Sequence, residues 1–187
     1  MINVNEFKPG ITFQEDNGIF IVLESQHSKQ GRGQATVKAK VKNLRTGAIT
    51  LKSYTGGEKV EKAHIEKVGM NYLYDDGNAI VLMDENTYEQ VTIENSKVEW
   101  EKNFLIEGQK LSVRKFEDEI LDIELPINME LNVTVAPDAV KGNSTSNPQK
   151  KITLETGFEM DAPLFIKEGE KIIVSTETGK YVGRATK

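Results

Sequence analysis

From Ala35 to Lys42 apolar and polar residues alternate at every step, with Ala35, Val37, Ala39 and Val41 on one side and Thr36, Lys38, Lys40 and Lys42 on the other. A period of two belongs to a strand with one buried face and cannot be laid on a helix, whose faces recur every 3.6 residues. The small apolar residues therefore turn inward and the lysines outward. Upstream, Ile19-Phe20-Ile21-Val22-Leu23 is a second apolar run bounded by turn residues. Between the two lies Ser28-Lys29-Gln30-Gly31-Arg32-Gly33, which has no apolar side chain. The whole reads as a hairpin with an exposed tip, its glycines permitting the positive φ that tight tips need. Asn43-Leu44-Arg45-Thr46-Gly47 is the next turn.

The rest of the chain keeps this style. Met70 to Tyr74, Ala79 to Met83 and Tyr88 to Ile93 read as short strands, punctuated by turns such as Asp75-Asp76-Gly77-Asn78. Leu111 to Phe116 and Glu119 to Leu125 follow. Residues 60–67 mix charge with little periodicity and suggest a boundary near 63, and Pro126 punctuates a second. Asn95 to Leu105 is expected to be partly helical, because Trp100 and Phe104 stand four apart. In the last third Leu131 to Val135 alternates strictly, residues 141–151 form a polar loop, and strands are expected at Lys151 to Leu154, Glu159 to Asp161, Lys171 to Ser175 and Lys180 to Arg184. The prediction is an all-β chain of three units, residues 1–63, 64–126 and 127–187, small enough to be antiparallel barrels.

Charge is divided unevenly among these units. Residues 1–63 carry ten Lys/Arg against six Asp/Glu, residues 64–126 six against fifteen, and residues 127–187 eight of each. No acidic residue occurs between Glu24 and Glu58, while Lys29, Arg32, Lys38, Lys40, Lys42, Arg45 and Lys52 all fall there. Such a stripe suits a phosphate-contacting surface. It also suits a solvated strand face on which lysines discourage edge pairing. Charge alone does not choose between them.

Catalysis finds little footing. His27 and His64 lie in different units with no motif around either, and Gly56-Gly57-Glu58-Lys59 lacks the strand–loop–helix setting of a phosphate loop. No serine sits in a nucleophile elbow. Cysteine is absent, which excludes disulfides and thiolate metal sites. The chain is expected to be no enzyme and to need no metal or cofactor. No apolar run approaches the roughly 20 residues that span a bilayer. Met1-Ile2-Asn3-Val4-Asn5-Glu6 has no signal-peptide pattern, so no membrane role and a cytoplasmic location are expected.

Several ordered strings together resemble the bacterial elongation factor P family. They are Leu23-Glu24-Ser25-Gln26-His27, Gly31-Arg32-Gly33-Gln34-Ala35 and Lys42-Asn43-Leu44-Arg45-Thr46-Gly47 in the first unit. Tyr72-Leu73-Tyr74-Asp75-Asp76-Gly77 and the run from Met83 to Gln90 follow in the second. Thr153-Leu154-Glu155-Thr156-Gly157, the run from Pro163 to Glu170 and the run from Thr178 to Arg184 carry the likeness through the third. The resemblance implies an SH3-like (KOW-type) barrel followed by two OB-fold barrels, arranged in an L shaped roughly like tRNA. It implies a monomer that binds the ribosome between the peptidyl and exit sites and relieves stalling at consecutive prolines. By the same resemblance Arg32 is the functional hairpin tip, supported by Lys29, Gly31 and Gly33, and faces the acceptor end of peptidyl-tRNA. Lys38, Lys40, Lys42 and Arg45 are the other candidate RNA contacts of the basic stripe. Gly142, Asn143 and Ser144 match a loop that approaches the exit-site codon of the mRNA, and Tyr181 and Arg184 match RNA-contacting positions.

The tip departs from the common pattern. The family usually places a modified lysine where this chain has Arg32, a subset places a rhamnosylated arginine there, and Gln30 replaces a common proline. Arg32 is thus either bare or the substrate of a matching modification enzyme, with Lys29 the other acceptor. Ser144 replaces a usual threonine and keeps the hydroxyl. Two rival readings are an elongation-factor-P-like paralogue serving a different ribosomal state, and a protein-binding adaptor built of β-barrel modules that touches no RNA.

Overall fold

The computed structural model describes residues 1–29, 31–139 and 147–185. Among them there is no α-helix, and the strands form three separate antiparallel sheets. The first joins β1 (Ile2–Asn3), β2 (Thr12–Glu15), β3 (Gly18–Ser28), β4 (Thr36–Asn43), β5 (Ile49–Thr55) and β6 (Lys59–Lys62) in the order β1-β6-β2-β3-β4-β5. The second contains β7 (Ile65–Asp75), β8 (Ala79–Asp84), β9 (Gln90–Glu94), β10 (Lys110–Phe116) and β11 (Glu119–Glu124), ordered β11-β10-β7-β8-β9. The third contains β12 (Asn128–Val135), β13 (Gln149–Leu154), β14 (Glu159–Pro163), β15 (Lys171–Ser175) and β16 (Tyr181–Arg184), ordered β14-β13-β12-β15-β16. The all-β class expected from the alternation is what the chain adopts.

Register shifts occur in every sheet, at Val22/Glu24 in the first, Tyr72/Tyr74 in the second and Val133/Val135 in the third. A bulge adds a residue to one strand, raises the local twist and bends the sheet over its own apolar face. Aromatic residues fill the first core. Phe7 stacks on Phe13 with ring centroids 4.9 Å apart, and Tyr54 meets Phe7 edge-on at 5.5 Å. Val37, Ala39 and Val41 of β4 are fully buried against them, as the period of two requires.

Residues 60–67 are more regular than their sequence suggests. They contain most of β6, which pairs with β1 on one side and β2 on the other, and the start of β7, which pairs with β10, so backbone pairing supplies the order that side-chain periodicity does not. The segment Asn95 to Leu105 is partly helical, as expected, but as two 3-10 turns, Asn95–Lys97 and Glu101–Phe104, rather than α-helix. Its apolar side chains answer to two sheets at once. Phe104 is fully buried in the core of the third sheet, while Val98 and Leu105 belong to the second. The Trp100 indole N–H donates to the Thr176 carbonyl at 2.7 Å, and Trp100, Phe104 and Phe158 pack edge to face with centroids 5.3–5.8 Å apart. A Cβ on Gly179 would lie 2.7 Å from the Trp100 ring, so that position is kept small by the indole.

Candidate nucleic-acid interface

The β3–β4 hairpin has a buried root and a solvated outer strand. Strand β3 bulges at Leu23, and from Glu24 to Ser28 beyond the bulge no residue is buried. Ser28 pairs with Thr36 at the last rung, and Lys29, Gly31, Arg32, Gly33 and Gln34 are all exposed around the turn. Gly31 adopts φ +53° with no atom near the place of a Cβ, so backbone geometry rather than crowding calls for glycine there. A polar hollow of about 390 Å³ lies beside the tip, lined by Ser28, Gly33, Gln34, Thr36 and Lys38. Among the described residues Lys29, Arg32 and Lys38 have no ion-pair partner. Three cations at the end of a thin two-stranded arm are available to phosphate.

Toward the root the same stripe is spoken for. Lys40 lies 3.8 Å from Glu24 in an exposed pair of little energetic consequence. Lys42 stands 3.6 Å from both Glu101 and Asp122 of the second unit. Arg45 forks onto Glu119, with Nη2 2.9 Å and Nε 3.1 Å from its carboxylate oxygens, and also donates to the Asn17 carbonyl. Lys52 points inward, paired with Glu15 and 4.2 Å above the Phe20 ring. Burial, and then the nearby Glu15 carboxylate, push the Tyr54 phenol well above its ordinary pKa. The candidates therefore split. The structure groups Lys29, Arg32, Lys38 and Lys40 on one arm and carries Lys42 and Arg45 to the joint with the second unit.

Asp122 is the acid at the centre of that joint. It is 3% exposed, lies between Lys42 and Arg114 (3.7 Å), and neither of its oxygens has a hydrogen-bond partner among the described residues. Burial raises its pKa, against the opposing pull of Arg114 and Lys42. On the third sheet, Tyr181 is half-buried against the core. The Arg184 guanidinium lies 4.5 Å over the exposed Phe165 ring and 3.6 Å from Glu170. Gly142, Asn143 and Ser144 lie outside the described residues.

Three family models match in succession. Residues 3–60 match the elongation factor P KOW-like domain, residues 65–123 its OB domain, and residues 129–184 the elongation factor P C-terminal domain. The chain belongs to the elongation factor P family. It is 71% identical over 184 residues to elongation factor P of Mycoplasma mobile, covering 98% of each chain, and 68% identical over 187 residues to that of Mycoplasmopsis pulmonis, covering both completely. Among solved structures, eukaryotic translation initiation factor 5A from Methanococcus jannaschii aligns with a TM-score of 0.51 at 20% identity, over 66% of this chain and 92% of that one, a likeness of fold. As a member of this family the chain is a translation elongation factor, with a KOW-like sheet at its N-terminus and OB-type sheets after it.

Three acids of the second unit, none of them a candidate from the sequence, bear on the site. Glu101, Glu119 and Asp122 decide which cations of the stripe stay free. Only Asp122 left a mark in the sequence, as a lone carboxylate inside Ile120-Leu121-Asp122-Ile123. Phe165, the platform beneath Arg184, is a second addition.

Proposed function

We propose that this factor binds the ribosome between the peptidyl and exit sites and speeds peptide-bond formation at consecutive prolines, with the β3–β4 tip held against the acceptor end of peptidyl-tRNA. The observation that carries this reading is the arm itself, exposed at its tip and ending in Lys29, Arg32 and Lys38, which have no ion-pair partner among the described residues. A guanidinium can grip phosphate with two parallel hydrogen bonds or stack on a base, which suits Arg32 to a tRNA end. The gain is positional. Ordering two reactants in near-attack geometry removes part of the barrier without any chemical group from the protein, so the reading assigns no catalytic residue and no cofactor. Lys38 and Lys40 extend the contact along the arm. Arg184 with Tyr181, and the Gly142-Asn143-Ser144 segment facing the mRNA in the exit site, are the contacts assigned to the third unit. The division at 1–63, 64–126 and 127–187, the tRNA-like L and action as a monomer belong to the same proposal. Arg32 is either bare or glycosylated, and intact mass with peptide mapping of residues 28–38 distinguishes the two.

The test is a polyproline reporter translated with wild type and Arg32→Ala. The variant is expected to lose most of the stimulation while its melting temperature stays within about 2 °C, since an exposed surface residue contributes within about ±0.5 kcal/mol. Equal stimulation by the two proteins overturns the assignment. Cosedimentation with ribosomes that falls steeply with salt separates this reading from an adaptor that touches no RNA.

A further inference from the structure

We propose that Lys42 and Arg45 are positioning residues, which lock the root of the hairpin to the second unit and so aim its tip, rather than contacts to RNA. This rests on the reading of the tip given above. Across the joint runs an alternating chain of charges: Glu101, Lys42, Asp122, Arg114, Glu124 and Lys67, at successive separations of 3.6, 3.6, 3.7, 3.8 and 2.9 Å. Lys42 alone comes from the first unit. The Asp122 side chain is 5% exposed and has no hydrogen-bond partner among the described residues, so its charge is balanced by the cations on either side, at 3.6 and 3.7 Å. Removing the Lys42 ammonium while the units stay packed leaves a buried carboxylate short of one of them, so the packed joint needs Lys42 in place.

Arg45 acts a turn further on. Its fork onto Glu119 and its bond to the Asn17 carbonyl tie the start of β11 to the β2–β3 turn. An exposed pair by itself is worth little, but this one is two-pronged and borders a dry patch. That patch consists of Ile19, Leu44, Ala63 and Leu121, with Ile21, Ile65 and Phe116 packed around it. The Leu44 N–H donates to the Ile19 carbonyl at 2.7 Å, and the Thr12 hydroxyl to the Ala63 carbonyl at 2.7 Å. Residues 19, 21, 42, 44 and 45 are the root of the strand pair whose far end carries Arg32.

The consequence is a lever. From Lys42 to Thr36 the strand runs roughly 20 Å, so a tilt of about 10° at the root moves the tip by roughly 3–4 Å. Misplacement of about 1 Å in a reacting complex can cost on the order of a hundredfold, so a loosened root impairs the tip without touching RNA.

A charge swap decides the matter. Arg45→Glu and Glu119→Arg should each lower stimulation at saturating factor, by about tenfold on the scale of misplacement effects, and the double swap should restore it to within about twofold. The chain has no cysteine, so spin labels at Gln26→Cys and Thr92→Cys report the separation of the units directly. Each single swap is expected to broaden that distance distribution, and the double swap to narrow it again. Lys42→Met is expected to leave the salt dependence of ribosome binding unchanged, whereas loss of a phosphate contact lowers its slope by about one. A double swap as impaired as Arg45→Glu, an unimpaired Glu119→Arg, or a reduced slope for Lys42→Met each overturns the proposal. Restored distances together with a neutral Arg32→Ala leave the lock standing and remove the role of the tip.

Discussion

The two ends of one basic stripe behave differently although they share a strand and a periodicity. At the tip, Lys29, Arg32 and Lys38 face solvent with no partner among the described residues. At the root, Lys42 and Arg45 are held by Glu101, Asp122 and Glu119. The difference is not in the cations. It lies in the surface that approaches them, since the second unit carries fifteen acids against six basic residues and presents three of those acids at the joint. An excess of one sign in each unit thus serves two ends. It holds the units together where they meet and leaves positive charge exposed where they do not.

The largest expected effect is at the root. Leu44 is 1% exposed in the patch between the units, and Leu44→Ala should cost about 3 kcal/mol in urea unfolding, within the range for deleting buried leucine side chains. A loss below about 1 kcal/mol would mean that the joint is not packed as a core. Next comes a matched pair of lysines two turns of the pleat apart. Lys42→Met should cost roughly 2–3 kcal/mol, below the about 3–5 kcal/mol of a fully buried ion pair because the Lys42 side chain keeps some contact with solvent, while Lys38→Met should stay within about ±0.5 kcal/mol. Equal effects at the two sites would erase the distinction between root and tip.

The smallest effect is one of pH. The Asp122 pKa is raised on folding, so between its unfolded value near 4 and its higher folded value the native state binds more protons than the unfolded chain. Its contribution to stability is therefore fully present below the unfolded pKa and is lost as pH rises through the folded one. Asp122→Asn removes this titration, and the variant should gain stability relative to wild type as pH climbs from about 4. A difference that stays flat with pH would show that Lys42 and Arg114 fully offset the burial.

Much of the architecture was legible because strand pairing leaves a local trace. The alternation from Ala35 to Lys42 located β4 and its buried face, and the apolar-free run after Ser28 located the turn. Residues 60–67 and Asn95 to Leu105 were less legible, for opposite reasons. The first is ordered by its neighbours' backbones, and the second by side chains that face two sheets. Of the candidate site, the exposure of Arg32 followed from composition alone. The fate of Lys42 and Arg45 did not, and Gly142, Asn143 and Ser144 lie outside the described residues.

The sequence by itself determined the class of the fold, the place of the hairpin, the concentration of positive charge on it and, through long ordered strings, the family. Only the tertiary structure decided which of those charges remain free. The physical reason is distance along the chain. A period of two tells a lysine that it points outward, but Arg45 finds Glu119 across 74 residues, and nothing in the neighbourhood of either foretells the other.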